Sequence, residues 1–149
     1  LHEKRAYKES GVNISNYIAS QLNTKNLGYA CWNLLRVNKQ NYTVYTWHGV
    51  SSAKFEWTKL KAAVDTANSF DCDLFAMGHV HQCSDTAKLY QSIDLRKRTV
   101  VEKKKFILIT GHYLKFDGGY AQERGFSPAK LGSPKVKFFS EKHDIHISW

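Results

Sequence analysis

Asp73-Leu74-Phe75-Ala76-Met77-Gly78-His79-Val80-His81-Gln82 is the stretch on which the fold turns. Four apolar residues in a row, bounded by Asp73 and Gly78, are the pattern of a strand covered on both faces, which is how parallel strands sit in layered α/β proteins. The strand delivers Gly78-His79-Val80-His81 to its carboxyl end. Residues two apart on an extended segment point the same way, so His79 and His81 share a side, and Gly78 permits a sharp exit from the strand. Two neutral imidazoles on one side suit a transition-metal ion. Taken alone, however, such a pair also occurs as ordinary surface or hydrogen-bonded histidines.

Upstream, residues 31–37 and 42–47 are rich in β-branched and aromatic types and flank the polar linker Asn38-Lys39-Gln40-Asn41, which predicts two strands joined by a short turn. The second runs directly into His48-Gly49. Ile14, Tyr17, Ile18 and Leu22 recur at helical spacing behind Asn13, a suitable cap, and the polar segment 23–26 ends that helix. Phe55, Leu60, Val64 and Ala67 predict a second amphipathic helix. Downstream, residues 88–93, 99–101 and 106–110 read as strands separated by two basic turns, Arg96-Lys97-Arg98 and Lys103-Lys104-Lys105. Asp117-Gly118-Gly119 reads as a loop, residues 120–124 as a helical turn, and residues 135–139 and 144–148 as a hairpin turning at 140–143. With no repeat or composition shift, residues 1–149 form one layered mixed α/β domain.

The composition narrows the class. At 149 residues, with 42% hydrophobic residues and two prolines, the chain can bury one core. It has no apolar run of about 18 residues, and its first ten residues are basic and polar, so a soluble, cytoplasmic protein without membrane contact is expected. Cys31, Cys72 and Cys83 give an odd count without a CxxC pair, which predicts free thiols rather than a disulfide framework or zinc knuckle. The net charge of +9 favours phosphate-bearing partners, nucleic acid among them, although the 22 lysines and arginines are scattered and their two clusters read as solvated turns.

Trp47-His48-Gly49 also follows an apolar strand, so two strand ends present histidine, and ligand sites in open α/β sheets collect outside the carboxyl ends of strands. In this order the segments resemble motifs of calcineurin-like metallophosphoesterases: Gly78-His79-Val80-His81 looks like the family's GHxH, and Trp47-His48-Gly49 like its preceding single-histidine motif. Leu1-His2-Glu3-Lys4-Arg5 is similar to the tail of the family's GNHE segment. Residues 120–128 (Tyr-Ala-Gln-Glu-Arg-Gly-Phe-Ser-Pro) resemble the closing segment of phage and bacterial members. The resemblance spans nearly the whole chain. It implies a metallophosphoesterase-type layered α/β sandwich with a mixed sheet and a two-metal site that clamps a phosphoryl group and activates a hydroxide. His48 and His79 would bind one ion and His81 the other, with manganese, iron, zinc and nickel all open, and His2 would stabilise the transition state or protonate the leaving oxygen.

The chain departs from the family pattern at its start. The DxH and GD motifs that supply an aspartate, a histidine and a bridging aspartate are not in the sequence, and Leu1 stands where the resemblance places a metal-binding asparagine. The expectation is a phosphatase or phosphodiesterase, acting on a phosphomonoester, a phosphodiester or nucleic acid, in a form that lacks N-terminal strands, is impaired alone and is a fragment of a longer protein. Asp71, Asp73 and Asp85 lie near the GHxH-like segment and could partly substitute as ligands, although Asp73 reads first as a strand-start residue. An unpaired sheet edge would then make the chain a homo-oligomer. The alternative is a non-catalytic remnant that binds nucleic acid or self-assembles. His112 follows the apolar strand 106–110 as His48 follows its own, while His143 and His146 read as surface residues of the terminal hairpin.

Overall fold

The computed structural model describes residues 7–50, 53 and 55–149. β1 (Ala30–Val37) and β2 (Gln40–Trp47) pair antiparallel from Ala30 against Trp47 to Val37 against Gln40. Their turn is only Asn38-Lys39. Asn38 takes φ +56°, a left-handed conformation asparagine tolerates, so Gln40 and Asn41 join the strand rather than the linker. β2 runs parallel to β3 (Leu74–Met77), which runs parallel to β5 (Thr99–Thr110); β4 (Cys83–Asp94) closes the order β1-β2-β3-β5-β4 as an antiparallel edge. The helices are α1 (Ile14–Gln21), α2 (Glu56–Ala67) and the single turn α3 (Tyr120–Glu123), and β6 (Lys135–Phe138) pairs with β7 (Ile145–Ser148).

Strand parity sorts the core into two halves. Phe75, Met77, Ile107 and Ile109 face α2 and pack with Ala63 and Ala67. Leu74, Ala76, Phe106 and Leu108 face the other way, with Tyr42 and Val44, toward Ile145, Val136 and Phe138 of the β6–β7 hairpin. The continuous apolar run of β3 is therefore explained: all four of its residues are buried, because helix covers one face and hairpin the other. Each large side chain among them contributes about 1.5–3 kcal/mol of transfer free energy. The architecture is mixed α/β, with a five-stranded mixed sheet and few helices.

Two expectations change. Lys103-Lys104-Lys105 is not a turn: β5 runs unbroken through it, with Lys103 opposite Tyr90 and Lys105 opposite Lys88. Lys105 is buried, and its ammonium donates to the carbonyls of Ala67 and Phe70, capping the end of α2. Helix α1 forms where the spacing puts it, with Asn13 Oδ1 accepting from Asn16 N–H at 2.9 Å, yet Ile14, Tyr17, Ile18 and Leu22 are exposed and only Ala19 is buried among its residues. The periodicity fixed the helix and not its packing. Among the described residues, no helix is long and apolar enough to cross a membrane.

Candidate histidine site at the carboxyl ends of the parallel strands

Register decides which residues meet. Trp47 is level with Met77, and Met77 with Ile109, so the residues that leave β2, β3 and β5 emerge side by side: His48-Gly49, Gly78-His79 and Gly111-His112. Gly78 N–H still donates to Trp47 O at 3.1 Å, and His48 N–H donates to Tyr29 O at 2.7 Å, which anchors the first imidazole's backbone. Two glycines make the crowding tolerable. At Gly49 (φ +84°) a Cβ would stand 2.5 Å from Met77 Cγ, and at Gly111 (φ +80°) it would stand 2.2 Å from Gly132 O.

The expected extended presentation of His79 and His81 does not occur. The strand ends at Met77, and Val80 N–H donates to Gly78 O at 2.9 Å across His79, whose φ is +69°. His79 thus sits at the apex of the rare, strained kind of γ-turn. His81 is left-handed as well, at φ +51°. The sharp exit attributed to Gly78 is made by His79 itself. With no pleat beyond Met77, each ring finds a different neighbour. His79 lies beside His48, ring centroids 4.9 Å apart, and His81 lies beside His112, 5.5 Å apart and nearly parallel at 27°. Two left-handed non-glycine residues in one four-residue exit are the kind of strain that collects at functional sites.

The walls come from later in the chain. Phe126 meets His81 edge-on at 6.1 Å and Tyr120 meets Phe126 at 6.1 Å, so the segment around α3 borders the site. Gly132 N–H donates to His112 O at 2.8 Å, and Cys83 Sγ donates to Lys130 O at 3.3 Å, which holds residues 130–132 against the end of β5. From α2, Lys59 donates to Val80 O at 3.1 Å and brings a cation to the loop that carries both histidines. Burial, with the charge of Lys59, holds the His112 imidazole below its ordinary pKa. Nothing in the local sequence marks Lys59, which reads as one of several lysines on the polar side of a helix.

His48 and His79 are close enough for two rings to share one ion, but two ligands fall short of the three or four protein groups of known catalytic and structural sites. Among the described residues, no group of three or more His, Cys, Asp or Glu is gathered closely enough to hold a metal. The acidic residues that could have substituted are engaged elsewhere, and Asp73 is the strand-start residue it reads as. Asp73 accepts from Thr43 N–H and Oγ1 and meets His143 Nε2 at 2.9 Å, Asp71 accepts from Tyr90 OH, and Asp85 accepts from Trp149 Nε1. Asp73, moreover, precedes β3 and so lies at the opposite end of the sheet from His79. His2 lies outside the described residues. Compared with protein-family models, curated proteins and solved structures, the chain matches none.

Proposed function

We propose that the chain supplies the histidine part of a metal-dependent phosphoesterase site, in a calcineurin-like metallophosphoesterase-type fold. The observation that carries this reading is the convergence of three parallel strand ends on one group of imidazoles, with His48 beside His79 and His81 beside His112. That division is what two neighbouring ions would require, with His48 and His79 on one and His81 on the other. When bound, divalent ions supply charge neutralisation at a phosphoryl group and a nucleophile at neutral pH. The chain's own residues hold His79 and His81 on strained backbone, border the site with Phe126 and Tyr120, and bring the Lys59 ammonium to the loop between those two histidines. The imidazoles fit such ions; carboxylate ligands are not among the described residues of the site, so the reading assigns this chain weak activity by itself. Hydrolysis of a chromogenic phosphodiester in the presence of manganese tests it. The expected outcome is a slow, manganese-dependent rate that falls at least about tenfold in His79→Ala. A rate indifferent to both manganese and His79 contradicts the reading.

The substrate class is a phosphomonoester, a phosphodiester or nucleic acid, drawn by the net charge of +9. Assembly through a sheet edge belongs to the same reading: β1 is an edge of the five-stranded sheet and exposes Trp32 and Leu34. Unpaired edges with apolar side chains favour pairing with another copy. Light scattering at increasing concentration is expected to report a dimer or larger species, and a monomer at the highest concentration counts against it. As a non-catalytic alternative, nucleic-acid binding through the same charge would weaken steeply with salt and ignore metal.

A further inference from the structure

The third strand end carries a histidine that the family resemblance assigns no role. Leu114 N–H donates to His112 Nδ1 at 3.2 Å. That bond uses the Nδ1 lone pair, and a neutral imidazole that accepts at Nδ1 carries its proton on Nε2. His112 Nε2 is buried and has no hydrogen-bond partner among the described residues. A buried donor without an acceptor is an exception in folded proteins and asks for an explanation. The ring is also held in place from several sides. Gly132 pairs with its backbone, His81 stacks along it, and Gly111 behind it admits no side chain.

The electrostatics decide what such a donor would take. The Lys59 ammonium donates to Val80 O, next to the His81 that stacks along His112, and so brings positive charge to this part of the site. A proton-bearing nitrogen beside an ammonium repels a cation and attracts an oxyanion. The same tautomer excludes metal ligation through Nε2, because that nitrogen's lone pair is not available while the Leu114 bond stands. We infer that His112 is a substrate-binding residue whose Nε2–H, assisted by the Lys59 ammonium, holds a non-bridging oxygen of the phosphoryl group rather than a metal ion. This assignment rests on the phosphoesterase reading for its substrate class, and its chemistry is that of a phosphoryl oxyanion from a monoester or a diester. Hydrogen bonds placed in this way fix the reacting group's orientation and offset its charge.

A reciprocal pair of variants separates the two ring nitrogens. His112→Gln keeps a donor near the Nε2 position, whereas His112→Asn keeps an acceptor for Leu114 N–H and lacks the distal donor. The measurement is the affinity for inorganic phosphate, with and without manganese, alongside manganese content and the nitrogen-15 shifts of the His112 ring. The expected result is an Nε2–H tautomer in the wild type, a loss of phosphate affinity of about tenfold or more in His112→Asn, a change within about threefold in His112→Gln, and the same manganese content in all three. Equal phosphate affinity in the three proteins, or no phosphate binding by the wild type in either state, overturns the assignment. Loss in His112→Gln with retention in His112→Asn overturns it in favour of a purely structural bond to Leu114. Loss of manganese in both variants overturns it in favour of a metal ligand. A wild type that takes up no manganese, yet whose phosphate affinity still separates the variants as expected, contradicts the phosphoesterase reading and upholds the role of His112.

Discussion

The two ends of the parallel strands are built on opposite terms. At the end where β3 begins, polar groups close on one another. The Asp73 carboxylate accepts two bonds from Thr43 and meets His143, which stacks on Tyr42 at 4.5 Å. The Tyr42 hydroxyl, on a fully buried ring, donates to Phe139 O at 2.6 Å and accepts from Asp144 N–H at 3.1 Å, tying the β6–β7 connection to the sheet. At the end where β3 stops, two histidines hold left-handed backbone and the His112 Nε2 has no hydrogen-bond partner among the described residues. One end spends its polar groups on stability, and the other leaves strain and a buried, unused donor where chemistry is proposed.

Substitutions break the comparison in opposite directions. Asp73→Ala removes the acceptor shared by Thr43 and His143, and chemical denaturation is expected to show a loss of about 2 kcal/mol. A loss near zero would mean that the network is ornamental. His79→Gly, at the strained end, relieves the positive-φ cost of a non-glycine residue and is expected to raise stability by about 1 kcal/mol while abolishing metal uptake. If it destabilises instead, the γ-turn is held by side-chain contacts and is not a site of stored strain. The smallest effect is a pH dependence. The hydrogen bond from Lys142 to its carboxylate, and that from Ile145 N–H, hold Asp144 below the usual carboxylate range. A group depressed in this way contributes stability above its unfolded pKa and loses it as pH falls through the folded one. Wild type is therefore expected to lose slightly more stability on acidification below about pH 4 than Asp144→Asn, and parallel acid profiles would remove Asp144 from the account.

The same contrast explains what the sequence disclosed. Local patterns were legible. The unbroken run Leu74–Met77 signals a strand covered on both faces, and Asn13 marks the start of a helix. The approach of His48 and His79 could be read from two strand ends, because parallel strands in register bring their exits together. Long-range partners left no such trace. His143 is exposed, as it reads, but its bond to Asp73 could not be read, since the two lie seventy positions apart and only the hairpin's docking joins them. The run Lys103-Lys104-Lys105 reads as a turn, since charge outweighs the alternation that places Lys105 beneath the end of α2. The different neighbours of His79 and His81 were hidden because an i, i+2 rule presumes a pleat, and the strand stops at Met77, before Gly78.

Metal content tests the central claim most directly: manganese per chain after loading and desalting, in the wild type and in His79→Ala. The account predicts about one ion or more retained by the wild type and lost in the variant. No retained manganese, or a content that His79→Ala leaves unchanged, would contradict it.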